Sequence, residues 1–215
     1  MKKWYAIDTE DNNYLYFLLS LVLMLVLPAL VSKSYVGIII LDIVYALVLI
    51  MSVIYAGTKR LDFIILGIIA SIIFILFLYE QQNIYFSIVS AGATLLFFSI
   101  VLVKVVKYIL TNPIGANEIY ACATGYMILG ILGASLFFVV EKSVDNAFNL
   151  PEQGDFYTFV YFSFITLTSV GYGDISPVHS FAKSSSILLS ITGQLYLTIL
   201  IAIIVGKFIA GDKER

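Results

Sequence analysis

Six runs of apolar residues dominate this chain, each close to the roughly 20 residues that a helix needs to cross a hydrocarbon core about 30 Å thick. They span residues 14–31, 35–56, 61–79, 84–110, 118–140 and 184–210. Lipid offers no partner to a backbone N–H or C=O, so runs of this length predict helices, whose hydrogen bonds are all internal. Only 12% of the residues are charged, where a soluble domain carries about a quarter. The expected class is an all-α membrane protein.

The charges that remain are informative by position. With the amino terminus inside, the inner segments carry Lys2, Lys3, Lys59, Arg60, Lys104, Lys107, Lys207, Lys213 and Arg215, and the outer ones only Lys33, Lys142 and Lys183. That asymmetry satisfies the positive-inside rule and predicts a multi-pass cell-membrane protein with both termini cytoplasmic. Glu80, Glu141, Asp145, Glu152, Asp155 and Asp174 then fall outside. Asp8, Glu10 and Asp11 interrupt the start and no A-x-A site follows, so the first run reads as a retained helix rather than a signal peptide. The expected tail, 211–215, leaves no room for a cytosolic domain. A net charge of −2 gives no basic surface for nucleic acid, and the single cysteine, Cys122, has no intrachain disulfide partner and reads as a small packing residue.

The connection between the last two runs, 141–183, is much longer than the others, and long ordered loops in compact proteins are usually functional. Within it, residues 156–168 are aromatic and β-branched but too few to cross a bilayer, and they lead into Ser169-Val170-Gly171-Tyr172-Gly173-Asp174. A short re-entrant helix followed by an extended strand fits this pattern. Non-helical backbone at membrane depth is tolerated only where it lines a water-filled or protein-enclosed cavity, and a pore supplies one.

A cation stripped of its water needs replacement oxygens, and successive carbonyls of one strand all face one axis only if alternate residues take unusual dihedrals. Gly171 and Gly173 permit positive φ at little steric cost. Val170 and Tyr172 are expected to turn their side chains away from that axis, with Tyr172 packed on the pore-helix aromatics.

The loop resembles the potassium channel family, whose filter reads TVGYG. The match is close over 156–174 and looser over 118–207; the first four helices carry no signature of it. The resemblance implies a selectivity filter of Thr168, Ser169, Val170, Gly171, Tyr172, Gly173 and Asp174. It also implies that potassium is coordinated by the carbonyls of Ser169, Val170, Gly171 and Tyr172, with the Ser169 hydroxyl innermost. The permeant ion is the only metal implied, and no cofactor is expected. Serine replaces the family's usual threonine, which keeps the oxygen and loses a methyl. Where many members carry a tryptophan pair, this chain has Tyr161 and Phe162 as filter supports; where some place a glutamate, Ile165 stands, so Asp174 lacks that partner. One loop cannot enclose an axis, and the resemblance with closed cyclic symmetry implies a homotetramer, three identical partners in a lipid bilayer around a central pore.

The organisation expected from these readings is a cytosolic segment 1–13, a four-helix transmembrane unit 14–110, a linker 111–117, a pore unit 118–210 and the tail 211–215. Gly193, 20 residues beyond Gly173, is either the opening hinge of an inner helix or a point of close helix approach. Gln194 beside it must face a cavity or another helix rather than lipid. Gly125, Gly130, Gly133 and Ala134 are expected to form the contact between the fifth and sixth helices. His179 reads as a surface residue. Asp42, within the second run, is either a functional carboxylate or one neutralised by a nearby hydroxyl or Lys33. The fourth run has no charge from residue 84 to 103, and Lys104 and Lys107 lie at its inner end, so the four-helix unit is not expected to be a conventional voltage sensor. The competing functions are a non-selective cation channel and a non-conducting membrane sensor or adaptor. An intramembrane enzyme finds no nucleophile, base or metal set to use, so the chain is not expected to be an enzyme.

Overall fold

The computed structural model describes residues 13–31, 35–57, 60–79, 83–113, 115–144, 146–150 and 154–213. The readings placed on Lys2, Lys3, Lys33, Lys59, Glu80, Asp145, Glu152, Arg215 and the segment 1–12 lie outside these residues. Among the described residues seven helices occur in chain order: α1 (Asn13–Leu30), α2 (Tyr35–Ala56), α3 (Arg60–Tyr79), α4 (Ile84–Thr111), α5 (Ala116–Ser143), the short α6 (Phe156–Leu167) and α7 (Ser180–Lys213). Two two-residue strands, β1 (Phe148–Asn149) and β2 (Ser176–Pro177), flank α6 and pair antiparallel.

Five described helices, α2 to α5 and α7, are long and apolar enough to cross a membrane. The sixth crossing expected over 14–31 is not among them: the apolar part of α1, Tyr14–Pro28, is shorter. Its 18 residues extend about 27 Å at 1.5 Å per residue, marginal for a hydrocarbon core of about 30 Å. Pro28 lacks an N–H and so removes one backbone bond just before the helix stops. At the other end of the chain, α7 starts four residues earlier than the apolar run, at Ser180, and takes in Phe181, Ala182 and Lys183.

The starts of the helices follow local chemistry. Asn83 Oδ1 accepts from the Tyr85 amide at 3.0 Å and caps α4, and Asp155 Oδ1 accepts from the Thr158 amide at 2.8 Å and caps α6. Glu118 Oε2, in the first turn of α5, reaches back to the Gly115 amide at 2.9 Å and removes another orphan donor.

The centre of the fold is α5, whose membrane-spanning stretch is 67% buried, whereas that of α7 is 11% buried. One apolar cluster gathers Phe17 and Leu21 of α1, Val48 of α2, Ile73 of α3, Phe97 and Val101 of α4, and Ile128 and Ile131 of α5. Helices α1 to α4 therefore share a core with α5. A second cluster, from Phe137 and Phe138 through Phe148, Phe159 and Phe162 to Leu189, surrounds α6. Helix α7 leaves most of its apolar surface, including Ile187, Leu188, Ile191, Leu195 and Ile199, uncovered by its own chain.

Candidate ion-conducting site

The loop after α6 is built by holding a short helix deep in the fold and turning the chain back along it. Small residues on α5 make the room. A Cβ on Gly130 would overlap the Phe164 ring, and one on Gly133 would overlap Ser163 Oγ and the Leu189 side chain. Ser163 Oγ donates to the Gly130 carbonyl at 2.6 Å. The contact expected between α5 and the last helix is thus corrected for these two glycines: Gly130 receives α6, and Gly133 is shared between α6 and α7. Gly125 does meet the last helix, through the Tyr196 hydroxyl, which donates to the Cys122 carbonyl at 2.9 Å.

Further along α5, Phe137 lies 4.9 Å from Phe162 of α6, ring centre to ring centre; Phe148 lies 5.4 Å from Phe162 and 5.4 Å from Phe159. Tilted and edge-on arrangements of this kind suit the aromatic quadrupole. Phe162, which has no polar group to offer, supports the loop by apolar packing.

The turn itself is closed by backbone bonds. Amides of Thr168 and Ser169 donate to the carbonyls of Phe164 and Thr166, each at 3.0 Å, and the Gly171 amide returns to the Ile165 carbonyl at 3.1 Å. Ile165 therefore holds the loop through its main chain, while its side chain is buried. The Tyr126 hydroxyl donates to the Leu167 carbonyl at 3.3 Å. On the far side of the loop, β2 pairs with β1, and the Val178 and His179 amides both donate to the Ala147 carbonyl, at 2.8 and 3.1 Å. His179 is exposed, and its Nδ1 accepts from the Phe181 amide at 3.3 Å at the start of α7.

Between these anchors, positive φ occurs at every second residue: Ser169 at 59°, Gly171 at 52° and Gly173 at 81°. The glycines were the expected positions. Ser169 was not, since a side chain in the left-handed region is uncommon and costs about 1–2 kcal/mol. The exposed side chains of Val170 and Tyr172 alternate with them. Tyr172 is 74% exposed and makes no ring contact among the described residues, so the expected packing of Tyr172 on the pore-helix aromatics does not occur within one chain. The reason is geometric: the aromatic face of α6 is already filled by Phe137 and Phe148.

Asp174, deprived of a glutamate at Ile165, has another partner. The Tyr161 hydroxyl donates to Asp174 Oδ2 at 2.7 Å, tying the middle of α6 to the end of the loop. This bond to the carboxylate, first, and then loss of solvation push the Tyr161 phenol up to about 12.

Two residues of α7 reach the other end of the loop. A Cβ on Gly193 would overlap the Leu167 carbonyl oxygen, so the absent side chain is what lets α7 lie against the end of α6. Gln194 Nε2 donates to Ser169 Oγ at 3.0 Å. The sequence marked Gln194 only as a polar residue needing a partner; its partner was not legible, and neither were the roles of Tyr126, Ser163 and Tyr196. Asp42, on α2, is half-buried, with no hydrogen bond to a described residue.

Residues 122–210, which contain α6, the loop and most of α5 and α7, match the family model described as ion channel. The calcium-gated potassium channel TvoK of Thermoplasma volcanium is 28% identical over 92 residues, which is 43% of this chain and 24% of that protein. The chain thus spans about a quarter of the length of the curated relative it matches. No solved structure matches the chain closely enough to count as a likeness. Residues 122–210 of this chain are therefore similar to the ion channel family, and the curated relative that overlaps this likeness is a potassium channel.

Proposed function

We propose that the chain is one subunit of a potassium-selective channel that passes K+ down its gradient, without catalysis, through a pore shared by four copies. The observation that carries this reading is the positive φ at Ser169, Gly171 and Gly173 in alternation. A strand of ordinary dihedrals sends successive carbonyls to opposite sides, whereas this alternation lets the carbonyls of Ser169, Val170, Gly171 and Tyr172 share one side. Four such strands give rings of oxygen that can replace the hydration shell of K+. Asp174 at the end of the loop places a carboxylate ring where it concentrates cations.

Assembly is supported by what one chain leaves uncovered. The apolar face of α7 and the Tyr172 ring are exposed in a single copy, and a fourfold arrangement gives both a neighbour. In that arrangement Tyr172 packs on the adjacent copy rather than on its own α6. Lys and Arg placement supports cytoplasmic termini, with the filter opening outward. The fourth helix supports weak dependence on voltage, because its only basic residues, Lys104 and Lys107, sit within its last eight positions. Taking α1 as a crossing at which the bilayer thins locally makes six spans, and bilayers adapt to that mismatch at modest cost.

The test is K+ and Na+ flux into liposomes that contain only this protein, over a range of voltages. K+ flux well above Na+ flux is expected. Equal permeability favours the non-selective channel, and no flux from correctly assembled protein favours the adaptor.

A further inference from the structure

The innermost ligand in this reading is the Ser169 hydroxyl, a side-chain oxygen beneath a row of backbone carbonyls. Threonine is stiff about χ1 because of its second branch; serine is not. A serine hydroxyl has one donor and two acceptor lone pairs on a free rotor, so it offers a lone pair to a cation only if something fixes where its hydrogen points. That something is present on α7. Gln194 Nε2 lies 3.0 Å from Ser169 Oγ, and Ser190 Oγ, one turn earlier on the same face, lies 3.4 Å from it.

We propose that Gln194 is a positioning residue for the Ser169 hydroxyl, setting the orientation in which it meets the permeant cation. The inference rests on the channel reading above and deepens it. An amide N–H occupies one lone pair of the hydroxyl oxygen. The hydroxyl hydrogen then turns toward Ser190 Oγ, and the second lone pair stays open to the cation. A carboxamide does this without adding charge beneath the filter.

The placement is built rather than incidental. Gly193, the neighbour of Gln194, holds the α7 backbone against the Leu167 carbonyl, two residues before Ser169. A side chain at Gly193 would move α7 away and take Gln194 out of reach. An unsatisfied amide in an apolar helix is costly, so stability alone would explain a partner for Gln194. Stability does not require that partner to be the hydroxyl at the end of the filter.

The test compares unmodified protein with Gln194→Leu, Gln194→Met, Ser169→Ala and the double variants, reading the Rb+ to K+ permeability ratio in liposomes and block by Ba2+, a doubly charged ion close to K+ in size. Gln194→Leu is expected to change the ratio by about threefold or more, Ser169→Ala likewise, and the double variant to match Ser169→Ala alone, as in a thermodynamic cycle for coupled residues. Full additivity of the two changes overturns the proposal, as does an unchanged ratio and unchanged Ba2+ block in a folded Gln194 variant. Gln194→Met, similar in length and unable to donate a hydrogen bond, serves if the leucine variant does not assemble. Failure of the unmodified protein to prefer K+ over Na+ is a separate result: it overturns the channel reading, and this inference falls with it.

Discussion

Lys207 Nζ, near the end of α7, donates to the carbonyl of Asn112 at 2.6 Å, just beyond the end of α4. The same ammonium also reaches the carbonyls of Ile109 at 2.8 Å and Leu110 at 2.9 Å. These are orphan acceptors at the negative end of a helix, where a cation is favoured. Lys207→Met is expected to lower stability by about 1–2 kcal/mol, with Lys207→Arg retaining most of it. Thermal unfolding in detergent checks this, and equal midpoints for the methionine variant and the unmodified protein would count against the latch.

Loss of the Tyr161 hydroxyl should weaken the outer end of the loop. Tyr161→Phe removes the 2.7 Å bond to Asp174 and keeps the ring. Single-channel open times measure it, and shorter conducting bursts are expected.

The same pair gives a pH dependence whose sign follows from the direction of the shift. The Tyr161 phenol is raised from 10.0 to about 12, so its contribution is fully present below pH 10 and is lost as pH rises through about 12. Burst duration is therefore expected to be insensitive to this group between pH 7 and 9 and to fall in strongly alkaline buffer. Tyr161→Phe should lack the alkaline component; its persistence there would assign the titration to another group.

Glycines of α7 should respond differently to alanine. At Gly193 the added Cβ meets the Leu167 carbonyl, which is backbone and cannot swing aside, whereas at Gly206 it meets nothing within 4 Å. Gly206→Ala is expected to be neutral or to stabilise by up to about 1 kcal/mol through helix propensity. Gly193→Ala should lower thermal stability in detergent as well as flux. A hinge without close packing predicts altered opening with unchanged stability, so the two measurements separate these roles.

Voltage dependence should be shallow. Lys104 Nζ pairs with Asp62 Oδ2 of α3 at 2.7 Å, and both side chains are about a quarter exposed. Such a pair contributes on the order of 0.2–1 kcal/mol, and a charge that crosses the whole field couples about 2.3 kcal/mol per 100 mV. Lys104→Gln with Lys107→Gln should leave the slope of open probability against voltage almost unchanged. A steep slope flattened by this double change would show that α4 carries gating charge.

Much of this architecture was fixed by local information. Apolar runs of bilayer length have only one way to satisfy their backbone, so the helices stand close to where the sequence puts them, and α2 has the same bounds in both. The Gly171 and Gly173 positions were legible for the same kind of reason: a glycine between β-branched or aromatic residues announces a dihedral that other residues resist. Partnership was another matter. Nothing in the sequence says that Ile165 contributes a carbonyl rather than a side chain, that Tyr161 replaces the missing glutamate of Asp174, or that Ser169 takes positive φ. Those facts depend on where α6 comes to rest between α5 and α7, which is set by the depth of the notches at Gly130, Gly133 and Gly193. Helices are chosen by the solvent acting on each segment alone, whereas contacts such as Gln194 to Ser169, 25 residues apart in the chain, exist only after the helices have packed.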